Sequence, residues 1–181
     1  MVSGMGTTIF AAHSIAITAE QIVYIPGYGL RAATSTLVGN ALGEGDIQKL
    51  KATERIAVFM TVMIMIINGA LLYIFALPFM QIFTNSAEAA VIGSKMLKLV
   101  SFSEPFFGLM IVLEGISFGM GRTNHIFVCE SASMWGIRIL FTFFCVKIFG
   151  LGLTSVWLCM IADNVVKSLL LWVFRPGCEK R

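Results

Sequence analysis

The sequence predicts an all-α protein, a polytopic bundle of about five membrane-spanning helices, and three observations support this prediction. Hydrophobic residues make up 57% of the 181 residues and charged residues only 13%, whereas about 25% of an average soluble protein is charged. The mean hydropathy is +0.87. Apolar stretches of about 20 or more residues, the length that crosses a bilayer, recur along almost the whole chain. We therefore expect a single membrane domain over residues 1–181.

Five stretches are long and apolar enough to cross roughly 30 Å of hydrocarbon as helices: residues 9–37, 56–80, 89–118, 125–149 and 151–174. In the first, Pro26 is followed by two nearby glycines, which predicts a kink or a short unwinding. The second is the most uniformly apolar. The third should bend, because Pro105 lies near its middle. Only a few residues, including Gly150 and Gly152, separate the fourth from the fifth, so these two should form an antiparallel hairpin.

The lysine and arginine residues between the spans predict the orientation, because cytoplasmic connections carry an excess of positive residues. With five spans, the two ends of the chain lie on opposite sides of the membrane. The more positive side carries Lys49, Lys51, Arg55, Arg122, Arg175, Lys180 and Arg181, and the other side carries Lys95, Lys98 and Lys147. We expect the C-terminus in the cytoplasm and the N-terminus outside. An odd number of spans that begins outside is easier to understand if further helices precede this chain.

Several function classes are disfavoured by the composition. The net charge of +3 is scattered, so no basic tract is available for nucleic acid. The four cysteines show no CxxC pair and no histidine spacing suited to zinc, so we interpret them as reduced packing residues. No activated nucleophile stands out, and Gly27-x-Gly29-x-x-Ala32 lacks the βαβ context of a dinucleotide site. We expect no enzyme activity, no resident metal and no cofactor.

Ionisable side chains within the spans are the main candidates for function. A charge at the bilayer centre costs at least about 2.5 kcal/mol, so each must face protein or water. Asp163 and Lys167 are four residues apart with the acid first, which favours an ion pair on one helix face. We interpret Glu130 and Arg138 as further members of structural ion pairs, with the arginine reaching an acid on a neighbouring helix.

Glu104 is the leading candidate for binding a coupling ion. It precedes Pro105, whose ring and missing N–H should leave a carbonyl one turn earlier free to face a cavity. A carboxylate beside free carbonyls suits a sodium ion or a proton relay. The alternative is a structural hydrogen bond from Glu104 to a neighbouring helix. Glu20 and Glu114 are the other candidates for ion or proton coupling.

Three further residues are candidates for contact with cargo. Flexible methionines and flat aromatic rings suit the recognition of varied organic compounds. On this ground we name Tyr24, Phe106 and Met110 as cargo-lining candidates. Packing within the bundle is the alternative role for each.

The connection between the first two spans is rich in glycine. Gly39, Gly43 and Gly45 permit left-handed backbone and close helix approach, and Asp46 can cap a helix that begins at Ile47. The segment is therefore either a tight cytoplasmic turn or, together with Pro26 and Pro105 in the spans, a hinge.

Four segments, in order, resemble the second half of the multidrug and toxic compound extrusion (MATE) transporters. The strongest is AATSTLVGNALGEGD at residues 32–46, followed by KLKA at 49–52. AAHSIA at 11–16 resembles the start of that family's eighth helix. GISFGMGRT at 115–123 resembles the exit of its tenth helix, and SMWGIR at 133–138 the middle of its eleventh.

This resemblance implies a fold of twelve helices in two six-helix lobes, of which the chain would be most of the C-terminal lobe. It implies export of organic, often cationic compounds in exchange for sodium ions or protons, in the cell (plasma or inner) membrane with a cytoplasmic C-terminus. The implied partners are membrane lipids, small organic cations and the N-terminal lobe of the same transporter. Alternatives are a lipid-linked sugar flippase of the same superfamily and a truncated, non-transporting membrane protein.

The sequence departs from the family at one position of interest. Alignment of the glycine-rich exit places Phe107 where some members carry a membrane-embedded aspartate. Their cation site therefore cannot be transferred directly. Either Glu104, about one helical turn earlier, replaces that aspartate, or coupling depends on acids in the other half.

Overall fold

The computed structural model describes residues 6–148 and 152–174, and all regular structure within these ranges is helical. The helices are α1 (Thr7–Gly43), α2 (Ile47–Phe83), α3 (Ala87–Val100), α4 (Glu104–Gly119), α5 (Thr123–Ser133) and α6 (Leu153–Val173). Two π-helical segments, Met134–Phe141 and Phe144–Ile148, continue α5. No strand occurs in the described ranges, so the all-α prediction is confirmed.

Five helical segments are long and apolar enough to cross a membrane, which confirms the predicted number: Thr7–Gly43, Ile47–Phe83, Ala87–Gly119, Thr123–Val146 and Leu153–Val173. The first two, of 37 residues each, are about 55 Å long at 1.5 Å per residue and exceed the hydrocarbon thickness. They extend well beyond the predicted stretches. The predicted connection between the fourth and fifth spans includes residues 149–151, and these, like the C-terminal residues 175–181, lie outside the described part.

The turn between α1 and α2 is much shorter than the sequence suggested, because both helices continue towards it. Gly45 has a left-handed backbone with φ of 71°, and the Asp46 side chain caps α2 by accepting a hydrogen bond from the Lys49 amide at 2.9 Å. Gly39 lies within α1 against the Gly119 carbonyl of α4, 3.6 Å from where a Cβ would be. Gly43 has open space around it. These glycines therefore serve a tight turn and a helix contact.

Helix α1 is continuous through Pro26, so the expected short unwinding there is wrong. Proline removes the donor for the carbonyl four residues earlier, that of Ile22. The Asn68 side chain of α2 donates to the adjacent Val23 carbonyl at 3.4 Å. The polar side chain thus contacts the carbonyl next to the one that proline leaves without its helical donor.

The third span is irregular at Pro105, as expected, but in a different way. Helix α3 ends at Val100, a 3₁₀ turn covers Ser101–Ser103, and α4 begins at Glu104. The Ser101 carbonyl, which Pro105 deprives of its usual donor, accepts a hydrogen bond from the Glu104 amide instead. The expected free carbonyl is therefore wrong, because the tighter turn supplies a donor from one residue earlier.

Helix α4 is the central element of the bundle and packs against α1, α2 and α6. Close approach to α1 requires glycine at two positions. A Cβ on Gly115 would lie 2.7 Å from the Arg31 carbonyl oxygen, and one on Gly119 would lie 2.6 Å from the Ser35 carbonyl oxygen. Both distances are too short for carbon against backbone oxygen, so glycine sets the spacing of α1 and α4.

We expect Gly115→Ala to destabilise the bundle by about 1–3 kcal/mol, because the added methyl group must push α1 and α4 apart. The matched control is Gly29→Ala, since Gly29 is also helical but has nothing within 4 Å of its added Cβ. Thermal unfolding of the purified chain in detergent measures both. Equal melting temperatures for the two variants would contradict the close approach.

Candidate functional site

Glu104 lies at the centre of the candidate site. It begins α4 and is fully buried, with 0% of its surface exposed. Neither carboxylate oxygen has a hydrogen-bond partner among the described residues. An ionised carboxylate is very costly to bury without a partner, so this group requires a proton or a cation.

A second buried carboxylate faces Glu104 from α1. Glu20 accepts a hydrogen bond from the Tyr24 hydroxyl one turn along the helix, and it interacts electrostatically with Glu104. The Tyr24 ring stacks on Phe107 of α4, with ring centroids 3.8 Å apart. Asn164 of α6 lies near the Tyr24 side chain. Three helices therefore bring two acids and two neutral polar groups together.

A third buried acid, Asp163 of α6, is surrounded by partners. One carboxylate oxygen lies 3.0 Å from the Lys167 ammonium and 3.7 Å from the Arg138 guanidinium. The other accepts a hydrogen bond from the Ser133 hydroxyl at 2.6 Å. Arg138 also interacts electrostatically with Glu20.

The expected role of Glu130 as a structural ion-pair partner needs correction. Arg138 lies near Asp163 instead, because its side chain extends towards α6. Glu130 lies near Glu114 and interacts with it electrostatically. Glu114 in turn pairs with Arg31 of α1, at 2.9 Å between nitrogen and oxygen. Ten residues, about 15 Å of helix, separate Glu114 from Glu104, so the two coupling candidates occupy different sites.

The three cargo-lining candidates do not share one surface. Tyr24 and Met110 are both buried, at 9% exposure, in the core around α4. Phe106 is 40% exposed and lies outside that core. The structure therefore places Tyr24 beside Glu20, Met110 in packing, and Phe106 on the outer face of α4.

Sequence reasoning did not identify Asn164, Ser133 or the Arg31–Glu114 pair. Asn164 and Ser133 are uncharged, whereas the candidates were chosen as charged residues that are costly to place within a membrane. Arg31 and Glu114 are 83 residues apart, and nothing in their local sequence links them. A search for every polar residue within the spans would have found the first two, whereas the pair requires the helix packing.

Comparison with known proteins identifies the family. The MatE family model matches residues 1–144. A probable multidrug resistance protein NorM from Thermotoga maritima is 28% identical over 169 residues, which cover 93% of this chain and 36% of the relative. An uncharacterized transporter from Schizosaccharomyces pombe is 26% identical over 161 residues, which cover 89% of this chain and 30% of the relative.

Solved structures support the same fold. The eukaryotic MATE transporter AtDTX14 superimposes with a TM-score of 0.86 at 23% identity, covering 92% of this chain and 38% of that protein. An inward-facing MATE family transporter of the MOP superfamily superimposes with a TM-score of 0.76 at 22% identity. This chain spans between 30% and 42% of the length of these proteins. The family match, the five spanning helices and the shared fold together show that the chain belongs to the MATE transporter family.

Proposed function

We propose that this chain forms most of the C-terminal lobe of an exporter that moves organic, often cationic compounds out of the cell in exchange for sodium ions or protons. The observation that carries the proposal is Glu104, fully buried, without a hydrogen-bond partner among the described residues, and facing Glu20. Membership of a transporter family gives this arrangement a role. The site would hold the coupling ion while the cargo binds and leaves between two lobes.

The chemistry follows from the cost of burying negative charge. With both Glu20 and Glu104 ionised, two negative charges repel each other in a medium of low dielectric constant. A sodium ion or a proton relieves this repulsion. It therefore stabilises the arrangement in which α1 and α4 are packed against each other. Release of the ion restores the repulsion and favours a different arrangement of the helices. In this way ion binding could shift the balance between two states of the transporter.

The site lies at a break in a spanning helix, where such movement is least costly. The 3₁₀ turn Ser101–Ser103 precedes Glu104 directly. Helix α2 is tightly packed there, because a Cβ on Gly69 would lie 2.7 Å from the Ser101 carbonyl oxygen and 3.1 Å from the Glu104 Cβ. A shift of Glu104 would therefore displace α2 as well as α1. Ion sites beside broken helices are common in secondary transporters.

The test of this proposal is ion-driven export in vesicles. The chain, assembled with the N-terminal lobe and the seventh helix as a complete transporter, should export a cationic dye when an inward sodium or proton gradient is imposed. Empty vesicles and vesicles that contain this chain alone should show no such export, since one lobe has nothing to move against. Absence of gradient-driven export from the complete transporter would overturn the proposal.

The charges near the site favour an ion-coupled exporter of cationic compounds over a flippase for lipid-linked sugars. A flippase for anionic lipid-linked sugars would need a wide cavity with free positive charges. Here the two basic groups nearest the site, Arg138 and Lys167, lie against Asp163, and with Glu20 and Glu104 the buried acids outnumber them. Vesicles that moved a fluorescent lipid-linked sugar, but no cationic dye, would favour the flippase instead.

The proposed orientation places the C-terminus in the cytoplasm of a plasma or inner membrane. It predicts that a membrane-impermeant maleimide leaves Cys178 unlabelled in intact cells and labels it after the cells are permeabilised. Cys178→Ser provides the control, because it removes this thiol and keeps the three within the spans. Efficient labelling of Cys178 in intact cells would mean that the topology is the reverse of the proposed one.

A further inference from the structure

Two cysteines meet between the last two spanning segments. The Sγ atom of Cys159 in α6 lies 4.0 Å from the Sγ atom of Cys145 in the π-helical segment Phe144–Ile148. Both thiols are free; Cys159 is buried, at 6% exposure, and Cys145 is partly buried. The third described cysteine, Cys129, belongs instead to the core around α4. Cys145 and Cys159 therefore form a pair of neighbouring thiols, whereas the sequence indicated only reduced packing residues.

The register of the two helices explains why these thiols meet. The π-helical segment Phe144–Ile148 packs against α6. Gly152, which precedes α6, stands midway between the two cysteines in the sequence. In an antiparallel hairpin, residues at equal distances from the connection lie beside each other. The contact between Cys145 and Cys159 thus follows from the same short connection that predicts the hairpin.

The two sulfur atoms are close enough to become bonded without refolding of the hairpin. A disulfide places its sulfurs about 2.05 Å apart, so the gap that must be closed is only about 2 Å. Rotation of each side chain about its Cα–Cβ bond moves the sulfur by a distance of this order. The backbone around Cys145 is also π-helical, a conformation that is rare and frequently occurs at functional positions.

We propose that Cys145 and Cys159 are a redox-active thiol pair, which a small apolar disulfide oxidises to a disulfide bond that ties the fourth span to the fifth. Only about 9 Å of helix separate Cys159 from the start of α6 at Leu153. In the proposed orientation this end of the helix faces the outside of the cell, where disulfides persist. The bond would hold the fourth span against α6, the helix that packs on α4.

The bond forms by two thiol–disulfide exchanges. The more accessible Cys145 loses its proton, and its sulfur attacks one sulfur of the small disulfide. The S–S bond of the small disulfide breaks, a mixed disulfide forms at Cys145, and the first small thiol leaves with a proton. Cys159 then loses its proton, and its sulfur attacks the Cys145 sulfur and displaces the second small thiol. Two hydrogens, with two electrons, thus pass from the protein thiols to the small disulfide, which is reduced to two thiols.

Trypsin gives a direct readout of this bond, because Lys147 lies between the two cysteines in the sequence. Cleavage at this and the flanking basic residues places Cys145 in peptide 139–147 and Cys159 in peptide 148–167. Membranes from cells that make the chain are reduced, washed and treated with dithiodipyridine, an apolar disulfide. The protein is then denatured in the presence of N-ethylmaleimide and digested. Mass spectrometry should find the two peptides joined, and dithiothreitol should separate them.

The matched control moves one thiol to the neighbouring position. Phe144→Cys combined with Cys145→Ser keeps the number of cysteines and shifts the thiol by roughly a quarter of a turn, to a position that is exposed. This variant should give mixed disulfides with the reagent. It should give on the order of tenfold less joined peptide than the unmodified chain, because a disulfide requires its two Cβ–Sγ bonds to point towards each other.

Three results would overturn the inference. One is a reagent adduct on Cys145 of the unmodified chain without joined peptides. Another is an equal yield of joined peptides from the control variant, which would mean that chance encounters form the bond. The third is a dimer on a non-reducing gel, which would place the bond between two chains, whereas we expect a monomer. Because the main readout uses the unmodified chain, it does not depend on the folding of any variant.

The inference is independent of ion-driven export, so failure of the proposed function would leave the joined peptides unchanged. The added reagent also makes the test independent of the orientation in the membrane. Labelling of Cys178 from outside intact cells, together with joined peptides in the membranes, would correct the topology and leave the thiol pair in place.

Discussion

Glu104→Gln should abolish ion-coupled export in the complete transporter while leaving the amount of protein in the membrane unchanged. The amide has nearly the same shape as the carboxyl group, but it cannot take up a proton or balance a cation. A neutral side chain also enters the membrane more easily than a carboxylate. Among the described residues, Glu104 is fully buried and interacts with one other acid, Glu20, so an exposed acid cannot take over its role. We expect a loss of at least about a hundredfold in gradient-driven dye export, the usual range for a proton-transferring group.

Two further variants make this result specific. Glu88→Gln makes the same chemical change on an exposed residue in the first turn of α3, and it should leave export unchanged. Glu104→Asp keeps the charge on a shorter side chain, so it should retain partial export with an altered sodium or pH dependence. Normal export by Glu104→Gln, with unchanged ion dependence, would mean that coupling resides elsewhere. Loss of that variant from the membrane would indicate a structural hydrogen bond instead.

Arg31→Ala should destabilise the bundle by roughly 2–3 kcal/mol, below the range of about 3–5 kcal/mol for breaking a fully buried ion pair. Its partner Glu114 has a side chain only 4% exposed and would lose its counter-ion, while the neighbouring carboxyl group of Glu130 would remain. The partial exposure of Arg31 reduces the effect. Thermal unfolding of the purified chain in detergent measures the change.

The matched control for Arg31→Ala is Lys49→Ala. Lys49 pairs with Glu44 at 2.5 Å, and both side chains are 52% exposed. Exposed pairs contribute only about 0.2–1 kcal/mol, because water and salt screen them. We therefore expect a clear drop in melting temperature for Arg31→Ala and almost none for Lys49→Ala. Similar drops for both variants would contradict the structural importance of the Arg31–Glu114 pair.

The spanning helices could be predicted because each depends on the summed hydrophobicity of one continuous stretch of residues. A helix must carry about 20 apolar residues to cross the hydrocarbon, and that requirement is visible in any stretch of the sequence. The Asp163–Lys167 ion pair is also local, because residues four apart share a helix face. Helix ends were harder to predict, since α1 and α2 continue as regular helices beyond the apolar part that identifies them.

The details of the site depended on packing between distant parts of the chain. Glu104 was identified because a buried acid beside a proline is unusual, but the fate of the Ser101 carbonyl depended on a 3₁₀ turn that the sequence does not specify. Glu130 was assigned a structural ion-pair role, yet it faces Glu114, because α5 packs against α4 as well as α6. Such contacts are decided by the relative rotation of helices, and one sequence alone does not reveal it.

The most direct test of the account is infrared difference spectroscopy of the purified chain in detergent, because it observes the buried carboxyl group itself. Without sodium and at low pH, Glu104 should hold a proton and contribute a protonated carboxyl band. Addition of sodium, or a rise in pH, should remove this band from the unmodified chain and from Glu88→Gln. Glu104→Gln should lack the change altogether. Identical difference spectra for the unmodified chain and Glu104→Gln would contradict the central claim that Glu104 binds the coupling ion.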